Sequence, residues 1–152
     1  MPERTTNDAK IVVALDFGLK RIGIASGDTL TRAAHPRSTI SNGPHGPDWR
    51  ALERVLADTR PALIAVGEPY NADGSASPLT EAARRFATEL ATRSSLPVDL
   101  VDERWSSQDA EERLREQRAS GERKRRVTRE DVDAAAAAII LERWFEQLDQ
   151  HD

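Results

Sequence analysis

Asp16 stands at the end of one apolar run, Asp102 and Glu103 at the end of another, and Asp133 near the start of the last helical segment. A carboxylate at the end of a buried strand is costly unless a cation or dense hydrogen bonding offsets it. Carboxylates gathered within a few ångströms repel one another and take up protons, unless a divalent cation keeps them ionised. Oxygen donors of this kind suit magnesium or manganese. Asp133 alone has a plainer explanation, because an acid in the first turns of a helix interacts favourably with the helix dipole. The weight lies in three acids at three matching places, since strand ends in an α/β sheet converge in space.

Other chemistries are poorly served. The chain has no cysteine, which removes disulfides and thiolate metal sites and fits a reducing, cytoplasmic compartment. His35, His45 and His151 show no ligand spacing, so zinc is not expected. The first ten residues lack the apolar stretch of a secretory signal, and no later run has the length of a membrane span. No membrane partner is expected. The net charge of −4 argues weakly against nucleic acid, but residues 113–129 hold eight basic side chains against two acidic ones. Arg123, Lys124, Arg125 and Arg126 are the densest part of this segment. A local basic surface is what phosphate binding requires, although a charge run on its own is more often just solvated.

The elements that must position these residues can be read from patterning. Residues 11–17 and 21–26 read as strands joined by a short turn through Gly18, and 33–40 as a third strand, giving an antiparallel meander. Asp48 caps a helix to about residue 58, with Trp49, Leu52, Val55 and Leu56 on one face. The apolar run 61–69, bounded by prolines, reads as a central parallel strand. Ser77 and Pro78 open a helix to about residue 93, and 97–102 form the last strand. SSQD at 106–109 has capping-box spacing for a helix to about 118, and Thr128 with Asp131 opens the final helix, to about 148. Its run of five alanines leaves little side-chain bulk, so it can approach the sheet closely. The expectation is an α/β domain over 11–148 behind a disordered tail over 1–10. Its mixed sheet has five strands, three antiparallel and the last two parallel, flanked by helices.

Four stretches, ALDFGLKRIGIASGD (14–28), VGEPYNADGS (66–75), LPVDLVDERWSSQDAEERL (96–114) and DAAAAAIILERWFE (133–146), together carry a specific resemblance. The chain resembles the YqgF/RuvX family, whose members are described as Holliday junction resolvases and as pre-16S ribosomal RNA nucleases of ribonuclease H-like fold. The resemblance spans about residues 11–147. It implies that Asp16, Glu103 and Asp133 are the catalytic and metal-holding acids, with Asp102 as a possible helper. Neighbouring strand residues point to opposite sides, so normally one of 102 and 103 faces the site. It implies further that Lys20 and Arg21 hold a backbone phosphate and that Arg104 either touches substrate or fixes the adjacent acids. Glu68 departs from the family pattern, which commonly has an apolar residue there. Asn71, Asp73 and Gly74 read as turn chemistry.

The implied activity is two-metal phosphodiester hydrolysis using magnesium or manganese. The 5′ end of a pre-16S ribosomal RNA is the first substrate and branched DNA the second, for a cytoplasmic monomer or homodimer. Basic contacts from Lys20, Arg21 and the 113–129 segment make its binding sensitive to salt. A non-catalytic RNA-binding factor in transcription or ribosome assembly is the alternative from another class. The D-F-G hairpin also resembles the phosphate-binding hairpin of actin-like ATPases, but those need two such domains.

Overall fold

The computed structural model describes residues 9–102 and 128–150. Strands β1 (Ile11–Phe17) and β2 (Arg21–Asp28) pair antiparallel, with Asp16 opposite Gly23 and Phe17 opposite Ile22. Strand β3 (Ala34–Gly43) adds antiparallel to β2, with an irregularity at Ile24 and Ala25. β5 (Leu63–Glu68) runs parallel to β1 on its other side, and β6 (Val98–Asp102) runs parallel to β5. These are the five strands expected, in the expected directions. A sixth, the two-residue β4 (Gly46–Pro47), was not expected, and the sheet order is β4-β3-β2-β1-β5-β6. Two residues carry no periodicity, and β3, expected over 33–40, runs on through polar residues to Gly43.

The helices start where their caps dictate. The Asp48 side chain accepts the Ala51 N–H and opens α1 (Trp49–Thr59). Ser77 and Thr80 form a reciprocal capping box, with Pro78 in the first turn of α2 (Pro78–Ser94). At the start of α3 (Arg129–Gln150), the Thr128 N–H donates to Asp131 Oδ2 at 2.9 Å and the Asp131 N–H to Thr128 Oγ1 at 3.2 Å. This last helix continues two residues beyond the expected end at 148. No helix among the described residues is long and apolar enough to cross a membrane. The helix expected over 106–118 lies outside the described residues, as does most of the expected tail. Lys10 is not loose: its N–H donates to Thr29 Oγ1 at 3.1 Å and its carbonyl accepts the Thr29 N–H at 3.0 Å.

Alternation along the strands divides the core between two sides of the sheet. Val13, Leu15 and Phe17 of β1, Ile22 and Ile24 of β2, and Ile64 and Val66 of β5 pack against Leu52 of α1 and Phe86 and Leu90 of α2. Val12, Ala14, Ala65 and Val101 pack on the other side against Ile140, Leu141 and Phe145 of α3. Ala134 to Ala138 are all buried on that side, and the helix lies as close to the sheet as the alanine run leads one to expect. A Cβ placed on Gly23 would meet the Asp133 carbonyl oxygen at 2.0 Å. Backbone therefore rests on backbone where α3 begins.

Candidate active site

Asp16 is the penultimate residue of β1 and shares a side with Val12 and Ala14, the side covered by α3. Its cross-strand partner is Gly23, and directly opposed residues in antiparallel strands lie about 5 Å apart at Cα. Asp133 comes to the same glycine from the helix. The capping box at Thr128 and Asp131 fixes the first turn of α3, and the next turn lays the Asp133 backbone on Gly23. Residues 117 positions apart thus come to the same glycine, Asp16 by strand pairing and Asp133 by its main chain.

Arg21, at the start of β2, donates from Nε to Asp133 Oδ2 at 2.6 Å. The two side chains are 28% and 22% exposed, enough burial for the pair to hold one geometry. Arg21, expected to hold a phosphate, is thus bonded to Asp133. Lys20 is exposed at the tip of the hairpin. The turn carrying it is held tightly: the Gly18 N–H donates to the Arg21 carbonyl at 2.9 Å. A Cβ on Gly18 would sit 2.7 Å from that same carbonyl oxygen, which accounts for the glycine.

Asn42 is the member of the site that sequence reasoning missed. Only 6% exposed, it donates from Nδ2 to the Gly18 carbonyl at 2.6 Å, while its N–H donates to the Lys20 carbonyl at 2.9 Å. A buried amide must find such partners, and here they are both ends of the β1–β2 turn. Its only local trace is an Asn-Gly step at 42–43, which signals a turn and hides the long-range role.

The carboxyl ends of β5 and β6 lie side by side, with Glu68 opposite Asp102. Glu68 shares the α2 side with Ile64 and Val66, and it accepts from Arg84 Nε. Arg84 also donates to Tyr70 Oη at 3.1 Å and to Glu81 Oε1 at 3.2 Å. The Tyr70 hydroxyl is pushed above its ordinary value, first by hydrogen bonding to Glu68 and then by burial. Glu68 is thus the centre of a separate clamp on the 69–77 loop. Within that loop the Ser75 hydroxyl and N–H both donate to Asp73 Oδ1, the hydroxyl bond being the larger cause of a lowered Asp73 pKa. This is turn chemistry, as the sequence suggested.

By the alternation of β6, Asp102 shares the side of Val98, while Val101 lies with α3. Asp102 is thereby on the opposite side from Asp16, and its carbonyl accepts from Arg143 of α3 at 3.0 Å. Glu103, Arg104, Arg123, Lys124, Arg125 and Arg126 lie outside the described residues. Among the described residues no three of His, Cys, Asp and Glu come together as a metal-binding group. The structure pairs Asp16 with Gly23, lays the Asp133 main chain on that glycine and bonds the Asp133 carboxyl to Arg21, with Lys20 at the adjoining tip.

A family model described as RuvX, Holliday junction resolvase, matches residues 10–147. A protein of Xanthomonas campestris pv. campestris (strain 8004), named "Putative pre-16S rRNA nuclease", is 44% identical over 139 residues, 91% of this chain and 89% of the relative. One of the same name from Edwardsiella ictaluri (strain 93-146) is 42% identical over 137 residues, 90% of this chain and 95% of the relative. Among solved structures, T. thermophilus RuvC in complex with Holliday junction substrate is similar at TM-score 0.56 and 19% identity, covering 93% of this chain and 96% of that one. The yeast mitochondrial Holliday junction resolvase Ydc2 is similar at TM-score 0.50 and 13% identity, covering 92% and 80%. These likenesses show a ribonuclease H-like fold, as the resemblance implied.

Proposed function

The chain belongs to the RuvX family of Holliday junction resolvases, and from that membership we propose that it is a metal-dependent nuclease that hydrolyses phosphodiester bonds in structured nucleic acid. The observation that supports this reading is that Asp16 pairs with Gly23 while the Asp133 main chain lies on the same glycine, on the side of the sheet covered by α3. Glu103 is the third proposed acid, carried by the family resemblance of the stretch LPVDLVDERWSSQDAEERL.

The donors fit a hard divalent cation, being carboxylate oxygens with neither sulfur nor imidazole among them. Asp16, Asp133 and Glu103 would hold magnesium or manganese. Such an ion, when bound, lowers the pKa of a water and offsets the charge that builds on the phosphate. Asp133 keeps one oxygen in the grip of Arg21, which orients the carboxyl group. Lys20 at the hairpin tip supplies a cation for a backbone phosphate beside the reacting one. In the reaction a water oxygen bonds to phosphorus, the bond to the leaving oxygen breaks, and that oxygen takes up a proton.

Precursor 16S ribosomal RNA is the substrate that the name of the relatives supports, and its 5′ end is the cutting site proposed here. Branched DNA is the second reading, supported by the family description. The test is cleavage of precursor 16S RNA and of a four-way DNA junction, in magnesium, by the wild-type protein and by Asp16→Asn. The wild type should cut the RNA at its 5′ end, and the variant should be slower by about two orders of magnitude or more while remaining folded. Equal cleavage by both proteins overturns the reading, and binding without cleavage by both would mark a non-catalytic factor.

A further inference from the structure

Leu19 occupies an unusual place for a large apolar side chain. It is 69% exposed at the tip of the β1–β2 turn, three residues beyond Asp16 and next to Lys20. Exposed leucines are common and by themselves need no explanation. The backbone under this one is different, since three hydrogen bonds of 2.6 to 2.9 Å fix the residues on either side of it. They are Gly18 N–H to the Arg21 carbonyl, Asn42 Nδ2 to the Gly18 carbonyl and Asn42 N–H to the Lys20 carbonyl. The turn gives up little further freedom when something packs against it, so its tip is ordered in advance. The other large apolar side chains exposed among the described residues stand elsewhere, Ile11 and Leu30 at the far end of the hairpin and Leu100 on β6.

Resting on the proposed nuclease function, we infer that Leu19 is a wedge that enters the base stack of the nucleic acid where its helix is interrupted, beside the phosphate held for hydrolysis. The physical basis is the pairing of an apolar tip with a cation. Lys20 draws the backbone in, and Leu19 covers apolar base surface that a break in stacking exposes. Apolar side chains can part base steps in this way, at a cost that is least where pairing is already broken. Leu19 thereby selects discontinuous helices over continuous ones.

The experiment uses the full chain carrying Asp16→Asn, so that substrate stays intact. The probes are an RNA stem with an internal junction, labelled with 2-aminopurine at the junction, and a continuous RNA duplex of equal length. A four-way DNA junction bearing the same label forms a second arm. On the RNA junction, 2-aminopurine fluorescence should rise on binding. Adding Leu19→Ala should remove the rise and weaken junction binding about tenfold, leave duplex binding within about twofold, and leave the melting temperature unchanged. Leu19→Met should restore the rise. If Leu19→Ala keeps both the fluorescence rise and the preference for the junction, the wedge is overturned while nucleic-acid binding stands. If the Asp16→Asn protein binds none of the three probes, the nuclease reading fails and the wedge falls with it. A rise confined to the DNA arm retains the wedge and moves the substrate to branched DNA.

Discussion

Arg21 and Asp133 show how one side chain can constrain another without any local sequence signal. The Arg21 Nε–H holds one oxygen of a carboxyl group 112 positions away, which a lysine, a point charge on a flexible stem, would do less well. The second clamp, at Arg84, gives a prediction that can be read directly because the chain has a single tyrosine, Tyr70. Its hydroxyl is bonded to Glu68, which favours the neutral phenol and raises the pKa above the ordinary 10.0. Tyrosinate absorbance should therefore appear at higher pH in the folded wild type than in denatured protein, and Glu68→Gln should move the midpoint back down. The sign for stability follows from the neutral form being favoured. The contribution is complete below pH 10 and is lost as the pH rises through the folded-state value. A folded-state midpoint at or below that of the denatured chain would refute the assignment.

At the scale of elements, the decisive contact is that between β2 and α3. Gly23→Ala would place a methyl 2.0 Å from the Asp133 carbonyl oxygen, so the start of α3 must shift outward. Unfolding in urea should show a loss of about 1–3 kcal/mol, the usual cost of overpacking, and cleavage should fall with it. Gly43→Ala, where the added atom would meet nothing within 4 Å, is the control and should change stability by less than about 0.5 kcal/mol. Most of these elements were legible in the sequence because their signals are local. Ser77 and Pro78 announce α2, Thr128 and Asp131 announce α3, and alternation from Val12 to Phe17 separates the two sides of β1. Asn42, Arg84 and the pairing of Arg21 with Asp133 were not legible in this way. Each acts across 16 to 112 positions, and only the folded sheet brings the partners together. The approach of α3 to the sheet lay between these cases: the alanine run suggested a close helix, but not that Gly23 was the point of contact.

For the whole molecule, the proposed function makes salt a diagnostic. The chain is acidic overall, yet residues 113–129 hold eight basic side chains against two acidic ones. Binding to RNA should weaken linearly on a logarithmic scale as salt rises, each phosphate neutralised adding about 0.7 to 0.9 to the slope. Replacing Arg123, Lys124, Arg125 and Arg126 together by Gln should flatten that slope, measured by fluorescence anisotropy from 50 to 300 mM salt on the order-of-magnitude scale of such titrations. An unchanged slope would remove this segment from the binding surface. The junction of strand and helix at Gly23 has a consequence for the molecule as a working object. Because main chain touches main chain there, no rotamer stands between β2 and the start of α3, and their separation is gauged by covalent geometry and van der Waals radii. Warming or sequence drift elsewhere in the core can loosen loops and exchange methyl groups, while the spacing of strand and helix at this point behaves as a stiff ruler.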